Sequence, residues 1–192
     1  SERAAMDDTG FARERLGIWF DPSAQMVIDG RRWFELADPE SKIEDPVVFA
    51  VDANPEQTAA AIAAAGRRGD GLGHVEVVDA RPGTGWLKRR ILELHERHKP
   101  RAWVIDPGSA AGALLSSDAS ELAAHGIVFS EVTGREFAQS CGALYEAVVE
   151  RAAFRHLNQD VLNTALVAAK KGPRGDAWIW HRRKSTSDIS PL

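Results

Sequence analysis

The stretch VVFAVDANPEQTAAAIAAAGRRGDGLGHVEVVDAR, residues 47–81, decides the fold. Its first part, VVFAVD, is a short apolar run rich in valine that ends in Asp52, which is typical of a buried strand. The alanine-rich run that follows favours a helix by composition, but a glycine-rich segment, GDGLG, comes directly after it. A strand over 57–66 paired with a strand over 73–80 fits that turn, so the sequence predicts a β-hairpin here.

Alternating helices and strands follow this three-stranded unit. The patterns predict helices over 86–98, 116–126, 134–154 and 158–172, and strands over 101–106, 126–132 and 176–183. Residues 190–192 would be the truncated start of a last helix. We therefore expect an α/β fold in which a mixed central β-sheet is flanked by helices. Its three leading strands are antiparallel, and parallel α/β units follow them.

The first 46 residues lack this alternation. They predict a helix end near 11–16 and a short helix near 30–37, stopped by Asp38-Pro39. This pattern is typical of a linker packed on a domain. The sequence does not begin with Met, which fits a piece of a larger protein.

Composition bounds the class of protein. The chain has 192 residues, of which 44% are hydrophobic and 27% charged, as expected for one globular domain with an appendage. A net charge of −4 gives no support to a nucleic-acid partner, so any such partner must rely on local patches. The single cysteine excludes an intramolecular disulfide and fits a reducing compartment. No apolar run approaches the roughly 20 residues of a membrane helix, and the N-terminus lacks the pattern of a signal peptide.

Two predicted strands end in aspartate, VVFAVD at Asp52 and RAWVID at Asp106. Adjacent strands lie about 4.8 Å apart, so the two carboxylates would repel unless a cation lies between them. Asp188, between a strand and a helix start, could close the site from a third element. Three carboxylates without nearby His or Cys suit Mg²⁺ or Mn²⁺, and pairs of such ions catalyse phosphodiester displacement.

These aspartates also have a simpler interpretation. A carboxylate at a strand end is often only a turn or helix-cap residue, and Pro107-Gly108-Ser109 after Asp106 has good turn chemistry. Glu131, at the end of another predicted strand, is either an accessory ligand or a solvent contact at the sheet edge.

Four segments, VVFAVDANPEQTAA, WVIDPGSAAG, HLNQDVLNTALVAA and GDAWIWHRRKSTSDISPL, resemble the C-terminal nuclease domain of the large terminase subunit of tailed double-stranded DNA bacteriophages. The resemblance implies an RNase H-like (RuvC-type) fold and a divalent-metal-dependent endodeoxyribonuclease that cuts concatemeric DNA. It assigns the catalytic and metal-ligand roles to Asp52, Asp106 and Asp188, with two Mg²⁺ or Mn²⁺ ions.

The resemblance also divides the chain. Residues 1–46, including RERLGIW, would be a junction from a preceding ATPase domain, and residues 47–192 would be the nuclease domain with a truncated C-terminal helix. No GxxxxGK[ST] phosphate loop occurs in the sequence, so the ATPase motor is missing. The implied partners are double-stranded DNA, the ATPase domain, the portal and the small terminase subunit, in the host cytoplasm.

Basic side chains near Asp188 are the candidates for holding DNA. We expect them to contact phosphates without reading bases; they are Lys170, Lys171, Arg174, Arg182, Arg183 and Lys184. A solvated basic face is the simpler alternative. Two further functions remain open, another RNase H-like nuclease such as a junction resolvase and a non-catalytic module that docks DNA or a partner.

Overall fold

A six-stranded sheet forms the centre of the fold in the computed structural model, which describes residues 26–44 and 46–192. The strands, in chain order, are β1 Val48–Ala53, β2 Ala59–Arg67, β3 Gly73–Pro82, β4 Ala102–Ile105, β5 Phe129–Glu131 and β6 Phe154–His156. Their spatial order is β5-β4-β1-β2-β3-β6. The first three strands pair antiparallel, whereas β4 pairs parallel with β1, β5 with β4 and β6 with β3. The predicted mixed sheet with three leading antiparallel strands is therefore confirmed.

Residue alternation along β1 explains why this strand can carry a polar side chain. Phe49, Val51 and Ala53 are buried, while the residues between them face the other side of the sheet. Asp52 therefore lies opposite its apolar neighbours and is half-buried. The predicted hairpin between β2 and β3 is present, and Gly71 in its turn has a φ of 84°, which glycine adopts at no steric cost.

Six α-helices surround the sheet in the described part of the chain. They are α1 Gly30–Glu35, α2 Leu87–His98, α3 Ala110–Ser116, α4 Ala119–Ala124, α5 Gly134–Glu146 and α6 Asp160–Ala168. None of those within residues 26–44 and 46–192 has the length and apolar character needed to cross a bilayer. The helix end expected near 11–16 lies outside the described residues.

Two apolar clusters sandwich the sheet. One joins α2, α3 and α4 to the buried residues of β1, β2 and β4, and it includes Ile91 and Trp103. The other joins α1, α5 and α6 around Trp33, Phe154 and Trp180. Because alternate residues of each strand face opposite layers, both faces of the sheet are covered.

A buried polar network ties α1 to β6. Trp33 Nε1 donates to Asn163 Oδ1 at 2.7 Å, and the Trp33 ring stacks on His156 with 4.0 Å between ring centroids. His156 Nε2 donates to the Trp33 carbonyl oxygen at 2.9 Å, while Nδ1 accepts from the Asn158 amide at 3.1 Å. Only the neutral imidazole satisfies both bonds. Burial lowers the pKa of His156 and thereby favours this form.

The C-terminal third departs from the sequence prediction in four places. Residues 190–192, which were expected to begin a helix, are not helical, and residues 190 and 191 form a turn. The helix predicted over 134–154 ends in a π-helical turn, Ala147–Arg151, and the chain then enters β6. The helix predicted over 158–172 ends at Ala168, because Lys171–Arg174 forms a strand, β7. The predicted strand in 176–183 exists as β8, Ala177–Trp180, but it pairs with β7 in a separate two-stranded sheet. A short 3₁₀ turn, Arg182–Lys184, follows β8.

Candidate functional site

Asp52 and Asp106 come together at one end of the central sheet. Val51 of β1 is in register with Ile105, the last residue of the parallel strand β4. The residues that follow them, Asp52 and Asp106, therefore lie side by side. Their side chains are 21% and 23% exposed, respectively. The turn after β4 uses Asp106 as well, because its Oδ1 accepts from the Gly108 amide at 2.9 Å. Asp106 therefore closes a turn with one carboxylate oxygen, and its second oxygen is not used in that turn.

Arg182 lies between these two carboxylates. Its Nε donates to Oδ2 of Asp52 at 2.8 Å, and its Nη2 forms an ion pair with the same oxygen at 2.8 Å. Its Nη1 lies 3.9 Å from Oδ2 of Asp106. The guanidinium also lies over the ring of Phe137 in α5, with 5.3 Å from Cζ to the ring centroid. The predicted DNA-binding residue Arg182 is thus placed as the counter-charge of the acidic pair.

Burial makes the charge of Asp52 costly. It raises the pKa of Asp52 above its ordinary value, and the nearby Asp106 charge acts in the same direction. The Arg182 guanidinium opposes both effects without cancelling them. Asp52 Oδ1 is buried and has no hydrogen-bond partner among the described residues. A buried anionic oxygen without a donor is a position that a metal cation can satisfy, so the acidic pair fits the divalent ion that the resemblance implies.

A largely apolar cavity of about 220 Å³ adjoins the pair. It is lined by β1 and β4 on one side, by Phe137 and Ser140 of α5 on another, and by the segment that follows Asp188. The Asp188 carboxylate accepts hydrogen bonds from the Ser190 amide and hydroxyl, both at 2.9 Å. These bonds hold Asp188 in a tight turn beside the cavity.

The structure assembles two of the three predicted ligands. Within residues 26–44 and 46–192, no group of three or more His, Cys, Asp or Glu side chains converges closely enough to hold a metal ion. The role of Asp188 as a third ligand therefore stays a prediction. Glu131 pairs in register with Ile105, the residue before Asp106, and lines a different cavity together with Ile105 and Pro107.

The other predicted DNA-binding residues cluster around the β7–β8 hairpin and the 3₁₀ turn. Lys171 Nζ lies 4.1 Å from the Tyr145 ring centroid and 4.2 Å from that of Trp178, so this cation packs on aromatic faces. Arg174 packs against Gly134, where an added Cβ would collide with the guanidinium. Arg183 and Lys184 are exposed.

Backbone contacts hold these basic elements together. The Lys170 amide donates to Ser185 Oγ at 3.2 Å, and its carbonyl oxygen accepts from the His181 amide at 2.8 Å. His181 also packs so closely on Gly172 that a side chain there would displace it. The hairpin and the turn that carries Arg182 therefore form one unit.

Sequence patterns missed the pairing of Arg182 with Asp52. The two residues are 130 positions apart, and Arg182 belongs to a run of basic residues that resembles an exposed patch. No local signal separates Arg182 from Arg183. Phe137 and Ser140 were also missed as neighbours of the site, because they are two positions on an ordinary amphipathic helix.

Comparison with known proteins adds information at the level of the fold. Neither a protein-family model nor a curated protein sequence matches the chain. The HK97 bacteriophage large terminase matches in structure with a TM-score of 0.61 and 14% identity, over 84% of this chain and 40% of that one. A mutant nuclease domain of the large terminase subunit of bacterial virus Sf6, with manganese and β-thujaplicinol, matches with a TM-score of 0.52 and 16% identity. The match covers 79% of this chain and 85% of that one. The large terminase nuclease from thermophilic phage G20c matches with a TM-score of 0.50 and 12% identity, over 80% of this chain and 78% of that one.

At these identities the similarity establishes the fold alone. The fold is RNase H-like and is that of large terminase nuclease domains, as the resemblance implied. The chain spans 40% of the length of the HK97 large terminase.

Proposed function

We propose that this chain is the metal-dependent endonuclease domain of a phage DNA-packaging terminase large subunit, which cuts concatemeric double-stranded DNA. The observation that supports this most is the acidic pair, Asp52 and Asp106, at adjacent strand ends of an RNase H-like sheet. Arg182 supplies one positive charge to two carboxylates, so one guanidinium cannot offset the charge of the ionised pair. A site of this kind attracts a divalent cation.

Asp52 and Asp106 would hold the cation, and Asp188 is the proposed third ligand in a two-metal mechanism. Mg²⁺ or Mn²⁺, when bound, supplies the charge that activates a water and stabilises the leaving oxygen of a phosphodiester. The protein's own contribution is to orient these carboxylates. β1 and β4 fix Asp52 and Asp106 by their register, and the Gly108 amide holds the Asp106 carboxylate in its turn. The fold of the Sf6 nuclease domain with manganese is consistent with this choice of ions.

The basic unit beside the site would hold the DNA backbone. Arg183 and Lys184 are exposed on the 3₁₀ turn next to Arg182, and Lys171 and Arg174 lie on the adjoining strand β7. Cations on a short turn and a hairpin suit phosphate contacts, which position a duplex and carry no sequence information. We therefore expect cutting that tolerates many sequences.

The wider setting is also proposed. Residues 1–46 would join the nuclease to an ATPase domain that is outside this sequence, and residues 47–192 would form the nuclease domain. Portal and small terminase subunits would be its partners during virion assembly in the host cytoplasm. The 40% share of the HK97 large terminase that the chain spans agrees with a single domain of such a protein.

Plasmid digestion tests the proposed activity. Wild-type protein is incubated with supercoiled plasmid and Mn²⁺, Mg²⁺ or EDTA, beside the variants Asp52→Asn and Asp118→Asn. Asp118 is a matched control, because it is also a carboxylate paired with a basic side chain, Lys88 Nζ at 3.0 Å. We expect nicking and linearisation with Mn²⁺ by wild type and Asp118→Asn, and none with EDTA or by Asp52→Asn.

Two results would point to the other functions. Cutting by Asp52→Asn at the wild-type rate would contradict a catalytic role for the acidic pair and leave a docking module, or a contaminating nuclease, as the explanation. Strong preference for four-way junctions over linear duplex would indicate a junction resolvase.

A further inference from the structure

We propose that Arg182 is a resident cation that occupies the acidic pair in the metal-free protein and is displaced when a divalent ion binds. The inference rests on the proposed function and concerns the regulation of the same site. It assigns to Arg182 a competitive role toward the metal, distinct from the phosphate contact that its place in a basic run suggests.

The pairing of Arg182 with Asp52 is incomplete, which makes it displaceable. Nε and Nη2 converge on one oxygen of Asp52, Oδ2, in place of the parallel arrangement in which a guanidinium engages both oxygens. Oδ1 stays buried without a donor among the residues that the structure describes. The contact of Nη1 with Asp106 is long, at 3.9 Å. A strong bidentate pair would leave none of these features.

Charge balance favours replacement of the guanidinium. Two carboxylates face a single guanidinium here, so the ionised pair has one negative charge more than Arg182 offsets. A divalent ion in place of the guanidinium would bring the two carboxylates to neutrality, and its ligands could include the orphaned Oδ1 of Asp52. The exchange therefore removes a charge and satisfies a buried oxygen at once.

The surroundings of Arg182 allow it to leave. Arg182 lines two cavities. The first is the cavity beside the acidic pair, and the second has a volume of about 420 Å³ and is also lined by Gln57, Ser109 and Arg183. Arg182 belongs to a three-residue 3₁₀ turn in which no residue is buried. Rotation away from Asp52 would move the guanidinium into the second cavity without disturbing the apolar core.

Direct measurement of Mn²⁺ binding tests this exchange without DNA or catalysis. Isothermal titration calorimetry is performed on wild type, Arg182→Ala, Arg182→Lys and the control Arg183→Ala, which removes the same charge one residue away. We expect Arg182→Ala to bind Mn²⁺ about tenfold more tightly than wild type, because the ion no longer competes with a charge-assisted pair. Arg182→Lys should fall between them, and Arg183→Ala should stay within about twofold of wild type, since exposed charges are screened.

Melting temperature gives a second readout that a merely structural arginine would not produce. In EDTA, Arg182→Ala should melt below wild type because the carboxylates lose their counter-charge. In saturating Mn²⁺ that difference should disappear, since the wild-type arginine is then displaced as well. An equal deficit in both conditions would overturn the proposal, as would unchanged or weaker Mn²⁺ binding by Arg182→Ala.

The two proposals fail in different ways. Binding of Mn²⁺ to wild type and Arg182→Ala with equal affinity contradicts the exchange alone. Absence of binding to every variant contradicts both the exchange and the metal-dependent nuclease.

Discussion

Replacing Gly112 by alanine tests how the strand end that carries Asp106 is held. Gly112 lies in α3, and a Cβ built there would be 2.5 Å from the Asp106 carbonyl oxygen and 2.7 Å from Pro107 Cα. Both atoms belong to the backbone, so they cannot rotate away as a flexible side chain would. Ordinary contacts between non-bonded carbon atoms are about 3.5–4.0 Å, so α3 or the turn after β4 must shift by roughly 1 Å.

The expected change in the free energy of unfolding of Gly112→Ala follows from two opposing effects. Alanine favours a helix interior over glycine by about 1 kcal/mol. Forcing a methyl group into a packed site costs about 1–3 kcal/mol, and contact with rigid backbone puts Gly112→Ala near the upper end. We therefore expect the free energy of unfolding to fall by about 2 kcal/mol.

Gly142→Ala is the matched control. Gly142 lies in α5, and a Cβ there would have no atom outside its own helix within 4 Å in the described structure. Gly142→Ala should therefore only benefit from the higher helix propensity of alanine, which stabilises the protein by about 1 kcal/mol. Urea unfolding followed by tryptophan fluorescence measures both variants. Gly112→Ala should also bind Mn²⁺ more weakly, because Asp106 moves, whereas Gly142→Ala should not.

One outcome would refute this reasoning. If Gly112→Ala were as stable as Gly142→Ala, α3 could not pack directly on the backbone of Asp106 and Pro107. The account of how β4 presents its aspartate would then be wrong.

Two further predictions concern pH and DNA. Burial lowers the pKa of His156 and His74 below the ordinary 6.5, so unfolding takes up protons below that pH and stability falls as pH drops from 7.5 to 5.5. Each histidine that stays neutral in the fold lowers the free energy of unfolding by about 1.4 kcal/mol per pH unit below 6.5. Urea unfolding of His156→Gln should therefore show a weaker dependence of stability on pH. An unchanged dependence on pH would contradict the neutral imidazole. For DNA, Arg183→Ala and Lys184→Ala should each lower the salt dependence of duplex binding, measured in EDTA, by about one unit of slope. Arg89→Ala, on α2 and 77% exposed, should not change the slope, and equal effects of all three would contradict a local DNA interface.

Much of the sheet could be predicted because its signals are local. The Val-rich run before Asp52, the glycine-rich turn and the Trp-Val-Ile run before Asp106 each indicate a strand without knowledge of the partner. Since β1 and β4 are adjacent and parallel, the meeting of the two aspartates followed from the strand ends.

Elements that depend on distant partners could not be predicted in this way. α3 was missed because Ser109 after Pro107-Gly108 was interpreted as a turn residue, although its Oγ accepts from the Gly112 amide at 3.1 Å and caps a helix. The predicted helix extended to residue 154 and no strand was expected after it, because residues 154–156 form a strand only by pairing with β3. Lys171–Arg174 resembled the basic end of a helix, and only pairing with β8 makes it β7.

The sequence predicted that Asp52 and Asp106 would meet, but it did not predict the charge that lies beside them. A carboxylate at a strand end can be identified from its position in the sequence. The choice of Arg182 over its basic neighbours depends on a contact between residues 130 positions apart. Asp188, the proposed third ligand, lies in a turn where Ser190 donates hydrogen bonds to both of its carboxylate oxygens. Its role depends on contacts that sequence spacing cannot specify.

Anomalous diffraction from crystals soaked in MnCl₂ tests the central claim most directly. We predict a manganese peak bonded to the carboxylates of Asp52 and Asp106, with the guanidinium of Arg182 rotated away from Oδ2 of Asp52. A map with no manganese at these two aspartates, and with Arg182 still paired to Asp52, would contradict it.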